Sequence, residues 1–260
     1  MNKTQIIAEI GQNHEGDVEV AKKLIDQAID GNADIIKLQY WNVDNVYDKK
    51  DVRYKAAKER ELPFEQFQEL ACAVFNQHKP LCVSFFGADN TQKAWIFEHA
   101  DIIKYASSEV KQYIIDRSTW PEYVDTKPVL ISAGYMWPSE CGANVHKLAC
   151  TPQYPTWNPQ NGLRDLSAAL KSGETQIGFS DHAIGIDACK AAILLGATYV
   201  EKHFTTSELR NTSKFRDHIG SMTITELQQL VAFRDKHYSN ATDPDFIEKT
   251  EDGKRRIKTI

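Results

Sequence analysis

Two histidines, His182 and His203, share one strand-helix-strand pattern in residues 176–204. Each follows a short apolar run typical of a β-strand, and a helix-patterned segment lies between them. Because neighbouring parallel strands point their carboxyl ends the same way, we expect both imidazoles on one face. Two imidazoles are too few to close a structural metal site, so a divalent ion held there would keep positions open for water or substrate. The alternative is that one histidine caps a helix and the other fills a core.

The elements that must position these histidines alternate between strand and helix along the chain. Apolar runs predict strands at 5–10, 34–39, 81–85, 102–105, 129–132, 147–150, 177–179 and 197–200. Helical patterns lie at 17–30, 63–77, 91–99, 163–170 and 186–195, and Thr223 with Glu226 forms a capping box for a last helix. The long segment 40–62 is interpreted as a functional loop.

Eight strands that alternate with helices predict a (β/α)8 TIM barrel. Few residues remain between the fifth and sixth strands, so the fifth helix is predicted to be short or missing. We expect a single catalytic domain over residues 1–260, with a polar C-terminal tail from about residue 240. The alternative is a doubly wound open sheet, which is disfavoured because GQNHEG, after the first strand, lacks a glycine-rich dinucleotide fingerprint.

A barrel gathers the carboxyl ends of all its strands at one mouth. The hydrogen-bonding side chains expected there are Glu9, Lys37, Gln39, Ser84, Lys104, Ser107, Glu109, Ser132, Thr151, Tyr154, Ser180, His182 and His203. Two lysines at one mouth would repel each other unless a multivalent anion, such as a phosphate or carboxylate, lay between them. Serine hydroxyls add neutral donors for such an anion. These residues predict a metal-assisted reaction on a small phosphorylated acid. The alternatives are carboxylate partners for the lysines and ordinary turn or cap roles for the serines.

Composition excludes several classes of function. A net charge of −5 argues against a general nucleic-acid binder, which needs a basic face. The five cysteines show no CxxC spacing, which indicates reduced thiols in a cytoplasmic protein. No apolar run approaches the ~18 to 20 residues of a membrane span, and the N-terminus has no apolar signal core. We therefore expect a cytoplasmic protein.

Nine short runs stand in the same order along residues 6–236 as in a known family. They are IIAEIGQNHEGD, ADIIKLQ, ELPFEQFQEL, IIKYASSE, VLISAG, the YPT that begins at Tyr154, IGFSDHAIG, LGATYVEKHFT and RDH. Together they resemble the N-acetylneuraminate (sialic acid) synthase family, the phosphoenolpyruvate-dependent synthases of nonulosonic acids. The resemblance implies a transferase that condenses phosphoenolpyruvate with an amino-sugar aldehyde, such as N-acetylmannosamine. Its products would be a sialic or related nonulosonic acid and phosphate.

The resemblance also implies a role for each matching residue. The positions that hold the carboxylate end of phosphoenolpyruvate match Lys37, Ser84 and Ser107, and those at its phosphate match Lys104, Ser132 and Ser180. Carboxylates near the reacting centre match Glu9 and Glu109, and contacts to the acceptor sugar match Gln39, Tyr154 and Asp217. The metal ligands match His182 and His203. The ion is usually manganese, with magnesium or cobalt as alternatives.

The sequence departs from the family pattern in three places. Pro152 stands where a polar residue is usual, the fifth helix is nearly missing, and the chain stops where typical members continue into an antifreeze-like domain. That domain supplies an arginine to the partner's acceptor sugar, and the arginines that could replace it here are Arg53, Arg60, Arg210 and Arg216. Family members are dimers partly through that domain, so a homodimer is an open expectation. Two alternatives remain: a non-catalytic relative that binds phosphoenolpyruvate and metal, and a synthase for a phosphorylated aldose with an extra anion site.

Overall fold

The computed structural model describes residues 3–138, 142–242, 247–249 and 255–257, and its core is a closed barrel of eight parallel strands in chain order. The strands are β1 Gln5–Gly11, β2 Ile35–Trp41, β3 Leu81–Phe86, β4 Ile102–Tyr105, β5 Val129–Ser132, β6 Val145–Cys150, β7 Ile177–Asp181 and β8 Tyr199–His203. The ring closes between β1 and β8, where Glu9 lies opposite His203. The predicted (β/α)8 barrel is confirmed, and the doubly wound alternative is wrong.

Helices surround the strands. They are α1 Val18–Asp30, α2 Val43–Val46, α3 Tyr54–Lys58, α4 Phe64–Asn76, α5 Asn90–His99, α6 Val110–Arg117, α7 Gln160–Lys171, α8 Asp187–Leu195, α9 Ser207–Thr212 and α10 Ile224–Thr242. Short 3-10 helices lie at Ser107–Glu109, Glu122–Thr126 and Arg216–His218. As predicted, Asp17 caps α1 by accepting hydrogen bonds from the backbone of Glu19 and Val20. The sequence patterns missed α6, and they missed α2 and α3 inside the segment 40–62.

The predicted gap at the fifth helix is visible in the described residues between β5 and β6, which contain no helix. Residues 139–141, including Cys141, lie outside the described residues. The four described cysteines are free thiols. The helix α10 continues past the predicted start of the tail, and two short tail strands, β9 Ile247–Lys249 and β10 Arg255–Ile257, pair antiparallel. None of the described helices combines the length and apolar character that crossing a bilayer requires.

Alternation along the strands builds the barrel interior in layers, because residues two apart face the same side of a strand. The lowest layer is apolar and contains Ile7, Ile35, Cys82, Ile102, Leu130 and Leu148, with Tyr199 packed against them. Two residues further along each strand lies a set that we call the polar layer: Glu9, Lys37, Ser84, Lys104, Ser132, Cys150, Ser180 and Glu201. All eight side chains are buried. The residues between these positions face the helices and form the main apolar core.

Candidate active site

A cavity of about 180 Å³ opens at the mouth of the barrel above the polar layer. Its lining residues are Gln12, Lys37, Gln39, Trp41, Arg60, Ser84, Phe86, Lys104, Ala106, Ser107, Ser132, Tyr154, Ser180, His182, Glu201, His203 and Asp217. Of the side chains expected at the mouth, Glu9, Glu109 and Thr151 lie outside this described lining. The volume is below the ~300–1,000 Å³ of pockets for drug-sized ligands, so the cavity suits small metabolites.

Glu201 lies at the centre of the polar layer, between the two lysines. Its carboxylate oxygens are 3.4 Å from Lys104 Nζ and 3.7 Å from Lys37 Nζ. The Ser180 hydroxyl donates a hydrogen bond of 2.8 Å to the same carboxylate, and Lys104 donates one of 2.6 Å to Ser132. Burial alone would raise the pKa of Glu201, but the two ammonium groups and Ser180 hold it at about 2. Glu201 is therefore ionised at neutral pH.

Burial also acts on Lys37, and it lowers the pKa of this ammonium group to about 8 although Glu201 opposes the shift. Lys37 forms an ion pair with Glu9 as well. The lysines therefore have the carboxylate partners that the sequence left open as an alternative, although the partner of Lys104 is Glu201 and not Glu109. The other predicted carboxylate, Glu109, accepts a hydrogen bond from Ser108, and burial raises its pKa.

Several buried polar atoms around the cavity have no hydrogen-bond partner in the part of the chain that the structure describes. They are Ser84 Oγ, Glu201 Oε2, His203 Nδ1, Gln12 Oε1, Trp41 Nε1 and both carboxylate oxygens of Glu9, one of which nevertheless meets Lys37. An unsatisfied buried polar group costs ~1–3 kcal/mol, and native proteins keep few of them. Such a cluster indicates a cavity that is completed by a polar ligand.

The two histidines meet at the upper edge of this cavity, with ring centroids 5.7 Å apart. Two imidazoles that share an ion ~2.1 Å from one nitrogen of each ring have centroids roughly 5 to 6.5 Å apart. His182 directs Nδ1 at the carbonyl oxygen of Thr151, 3.2 Å away, so Nδ1 carries the proton and Nε2 keeps its lone pair. Burial lowers the pKa of His182 to about 4 and that of His203 well below its ordinary value. Both rings are neutral at pH 7, as metal ligands must be.

The surroundings of the two rings leave room for further ligands. Among the described residues, no group of three or more histidine, cysteine, aspartate or glutamate side chains could hold a metal ion. The pair could therefore hold an ion only with water or substrate completing its coordination. Tyr154 packs against both rings, with centroid distances of 4.0 Å to His182 and 5.8 Å to His203. A Cβ on Gly11 would lie 3.0 Å from the ring of His203, so the glycine allows this close approach.

Gly134, just beyond β5, opens the other side of the cavity floor. A Cβ there would lie 2.7 Å from Cys150 Sγ and 2.9 Å from the Ser107 hydroxyl, which themselves are 3.1 Å apart. Pro152 lies at the same place and has no side-chain donor, as the sequence indicates. The missing side chain of Gly134 leaves the hydroxyl and the backbone of this corner accessible to an anion.

Arg60 and Asp217 form the outer wall, with Arg60 donating a hydrogen bond of 2.9 Å to the carboxylate. The guanidinium lies 5.6 Å from the ring centroid of Trp41 and 4.7 Å from that of Phe215. The other three arginines considered from sequence lie outside this cavity. They are Arg53, which is paired with Asp51, Arg210, which is paired with Glu226, and the exposed Arg216, which borders an adjoining recess that Tyr154, His182, His203 and Asp217 also line.

Sequence reasoning missed five of the lining residues, namely Gln12, Trp41, Phe86, Ala106 and Glu201. The signal for Glu201 was present, since it lies two residues before His203 and must share its side of the strand. Phe86 and Trp41 end the strands β3 and β2. Both histidines were expected just past their strands; this holds for His182, whereas His203 is the last residue of β8.

Comparison with solved structures finds the same barrel fold in known proteins. A sialic acid synthetase from Leptospira borgpetersenii superposes with a TM-score of 0.81, covering 96% of this chain and 89% of that chain at 24% identity. A truncated 3-deoxy-D-arabino-heptulosonate 7-phosphate synthase from Thermotoga maritima gives a TM-score of 0.63 at 16% identity, covering 92% and 87%. At these identities the likeness concerns the fold alone, which is the closed (β/α)8 barrel.

Sequence comparison then defines the family, because the NeuB family model matches residues 24–241. The chain belongs to the NeuB family. It is 29% identical to the N,N'-diacetyllegionaminic acid synthase of Campylobacter jejuni, covering 88% of this chain and 75% of the relative. It is 28% identical to the N-acetylneuraminate-9-phosphate synthase of Mus musculus, covering 87% and 68%. The predicted family is confirmed, and it is a family of enzymes that make nonulosonic acids.

Proposed function

We propose that this protein joins phosphoenolpyruvate to an amino-sugar aldehyde and releases phosphate. The product is a sialic or related nonulosonic acid. The observation that carries the proposal is the polar layer, where two buried ammonium groups and the unsatisfied hydroxyl of Ser84 lie beneath two neutral imidazoles in one cavity. An anion and a divalent ion can therefore be held side by side, which is what a reaction between a phosphorylated acid and an aldehyde requires.

The polar layer, together with Ser107 beyond β4, supplies the groups that bind phosphoenolpyruvate. Lys37, Ser84 and Ser107 are assigned to its carboxylate end, and Lys104, Ser132 and Ser180 to its phosphate. The pairing of both lysines with Glu201 supports this assignment, because it holds the two side chains in place until the substrate anion arrives. Ser84 Oγ, which has no partner within the described structure, gains one in the complex.

His182 and His203 are assigned as ligands of a divalent ion, with manganese as first choice and magnesium or cobalt as alternatives. When bound, the ion supplies Lewis-acid stabilisation of negative charge on the aldehyde oxygen. The chain fixes the ligand nitrogen of His182 through the hydrogen bond to Thr151, and it keeps both rings neutral by burial.

The reaction forms one carbon–carbon bond, between the enol carbon of phosphoenolpyruvate and the aldehyde carbon. Water then adds at the carbon that bears the phosphate ester, and the carbon–oxygen bond to phosphate breaks. Glu9 can orient this water and accept its proton, because its Oε1 is buried without a partner among the described residues, while Lys37 meets Oε2. Glu109 is the second candidate, since burial raises its pKa and makes its carboxylate a stronger base. Lys104, Ser132 and Ser180 hold the departing phosphate.

The test is phosphate release by the purified protein with phosphoenolpyruvate, manganese and a panel of N-acylated hexosamines. Release should need both substrates and the metal, and mass spectrometry should detect the matching keto acid. Release that is independent of sugar, or that continues after chelation, contradicts the proposal.

A pair of lysine variants provides a matched control for this assay. Lys104→Met removes an inward ammonium group and should lower kcat by ~10²–10³, the effect of losing one donor to developing charge. Lys147→Met changes a lysine on the outward side of β6, where it pairs with Glu174, and should leave turnover near the wild-type rate. An equally large decrease of kcat in both variants would indicate that the fold, rather than phosphate binding, had been lost.

A further inference from the structure

The outer wall of the cavity indicates which kind of acceptor the enzyme takes. We propose that the acceptor carries no phosphate at the end that meets Arg60 and Asp217, and that this ion pair selects neutral hydroxyl or amide groups. The inference rests on the proposed function, since it describes the second substrate of the same site.

The first step is the charge of the wall. Arg60 is the cation on the outer side of the described lining, and Asp217 already accepts its hydrogen bond at 2.9 Å. Both side chains are largely buried, at 15% and 30% exposure, so the pair is only partly screened by water. A phosphate placed there would meet the Asp217 carboxylate and would have to break the pair. A hydroxyl can donate to the carboxylate and accept from the guanidinium at the same time.

The second step concerns the neighbouring groups. Gln12 Oε1 is a buried acceptor and Trp41 Nε1 a buried donor, and neither has a partner in the described chain. Both residues line the same cavity as Arg60. An unpaired donor and an unpaired acceptor match a ligand that offers hydroxyl and amide groups. A fully ionised phosphate can accept hydrogen bonds but has none to donate. The aromatic faces of Trp41, Phe86 and Tyr154 provide an apolar surface for the C–H side of a sugar ring.

The third step is the rigidity of the pair. A Cβ on Gly16, whose φ is +84°, would collide with the carbonyl oxygen of Glu59, so this glycine packs directly on the backbone that carries Arg60. On the other side, the Asp217 carbonyl oxygen accepts a hydrogen bond of 2.6 Å from Ser221, which is itself bonded to Asn13. A wall that is held from both sides can select between ligands without rearranging.

Other cations near the wall do not form a second anion site in this cavity. Lys214 is 72% exposed and pairs with Glu59 at 3.1 Å. Arg216 is exposed and does not line the described cavity; it borders an adjoining recess that Asp217, Tyr154 and the two histidines also line. Lys37 and Lys104 belong to the polar layer, where phosphoenolpyruvate is assigned.

The experiment compares N-acetylmannosamine with N-acetylmannosamine 6-phosphate as acceptors for the wild-type enzyme at saturating phosphoenolpyruvate. We expect kcat/KM to favour the unphosphorylated sugar by about tenfold or more, the effect of one uncompensated like-charge contact. Asp217→Asn, which leaves Arg60 unpaired, should narrow this preference by about tenfold. A wild-type preference for the 6-phosphate overturns the inference and leaves the proposed function intact.

A second set of variants tests Arg60 itself. Arg60→Met should raise the KM for N-acetylmannosamine about tenfold, the loss of one charge-assisted hydrogen bond, and leave the KM for phosphoenolpyruvate unchanged. Arg60→Lys keeps the positive charge but not the planar guanidinium with its paired N–H donors, so its KM for N-acetylmannosamine should lie between those of the wild type and Arg60→Met. The matched control is Arg53→Met, because Arg53 also pairs with an aspartate and lies over an aromatic ring but is 66% exposed on the surface. An Arg60→Met enzyme with the wild-type KM for the sugar overturns the inference.

If neither sugar is consumed, the proposed function fails, and calorimetric binding of the same two sugars in the presence of phosphoenolpyruvate decides the inference. Tighter binding of N-acetylmannosamine, weakened in Arg60→Met, supports it. Tighter binding of the 6-phosphate, or no binding of either sugar, overturns it.

Discussion

Replacing Glu201 with glutamine should destabilise the free protein and at the same time strengthen its response to phosphate. The carboxylate is 3.4 Å from one ammonium group and 3.7 Å from the other. At an effective dielectric constant of ~20 each contact contributes about 4.5–5 kcal/mol, and dehydrating the charges offsets roughly half of the sum. We therefore expect Glu201→Gln to lower the free energy of unfolding by about 3–5 kcal/mol, the range for breaking a buried ion pair from one side.

Urea unfolding followed by circular dichroism, with and without inorganic phosphate, measures both effects. Phosphate should restore about 2.7 kcal/mol at a concentration one hundred times its dissociation constant, because it replaces the missing counter-charge. The matched control is Glu69→Gln, the same chemical change at a carboxylate that is 54% exposed and pairs with Lys22. Its unfolding midpoint should stay close to that of the wild type. A Glu201→Gln protein as stable as this control would refute the description of the polar layer as a charge-balanced unit.

Three further predictions concern single side chains. Ser84→Ala should weaken the binding of phosphoenolpyruvate but leave the free protein at least as stable as the wild type, since the buried hydroxyl has no partner among the described residues. Ser132→Ala loses a hydrogen bond from Lys104 and should lower the free energy of unfolding by about 1.5–3 kcal/mol in urea. Burial lowers the pKa of His14 from 6.5 to about 4, so the folded state favours the neutral ring. Its contribution to the free energy of unfolding is therefore complete above pH 6.5, and about 3 kcal/mol of it is lost as the pH falls to 4. In urea unfolding across that pH range, His14→Asn, which keeps an acceptor for the Gly16 N–H, should lose less stability than the wild type. The control His78→Asn, at an exposed histidine, should lose as much stability as the wild type. Gly134→Ala should raise the KM for phosphoenolpyruvate and lower the free energy of thermal unfolding by about 1–3 kcal/mol, because the new Cβ would crowd Cys150 and Ser107. Wild-type kinetics of this variant would show that Gly134 does not lie against the substrate.

The barrel was predictable because each of its strands contains an apolar run, and runs that alternate with helices have few alternative folds. The ends of the strands were less predictable. The last two strands were expected to end at 179 and 200, where the first polar residues appear, but they continue to Asp181 and His203. Polar residues continue these strands because their partners lie inside the barrel, as Ser180 and Glu201 bond to each other. Glu201 was missed as a site residue for the same reason.

The outer wall could not have been placed from sequence. Arg60 and Asp217 are 157 residues apart, and their contact depends on the close packing of Gly16 against Glu59. No local pattern distinguishes Arg60 from Arg53, since both follow a polar segment with mixed charge. The helix α6 was missed because its buried positions, Val110, Tyr113 and Asp116, include a carboxylate. Asp116 is buried there with hydrogen bonds from Lys93, Tyr105 and Gln112, which only the folded chain reveals.

All the proposed chemistry lies at the carboxyl ends of the barrel strands, and none of the proposed site residues lies in the turns at the opposite end of the barrel. At that end the turn after α7 carries Gly173, which is exposed, has a φ of +92° and has no atom of the described structure within 4 Å of where a Cβ would be. Circular permutation that opens the chain at Gly173 would break no contact of the polar layer. Such a rearranged gene should therefore still give a protein that binds phosphoenolpyruvate, with its new ends pointing away from the substrates and available for attaching a second protein.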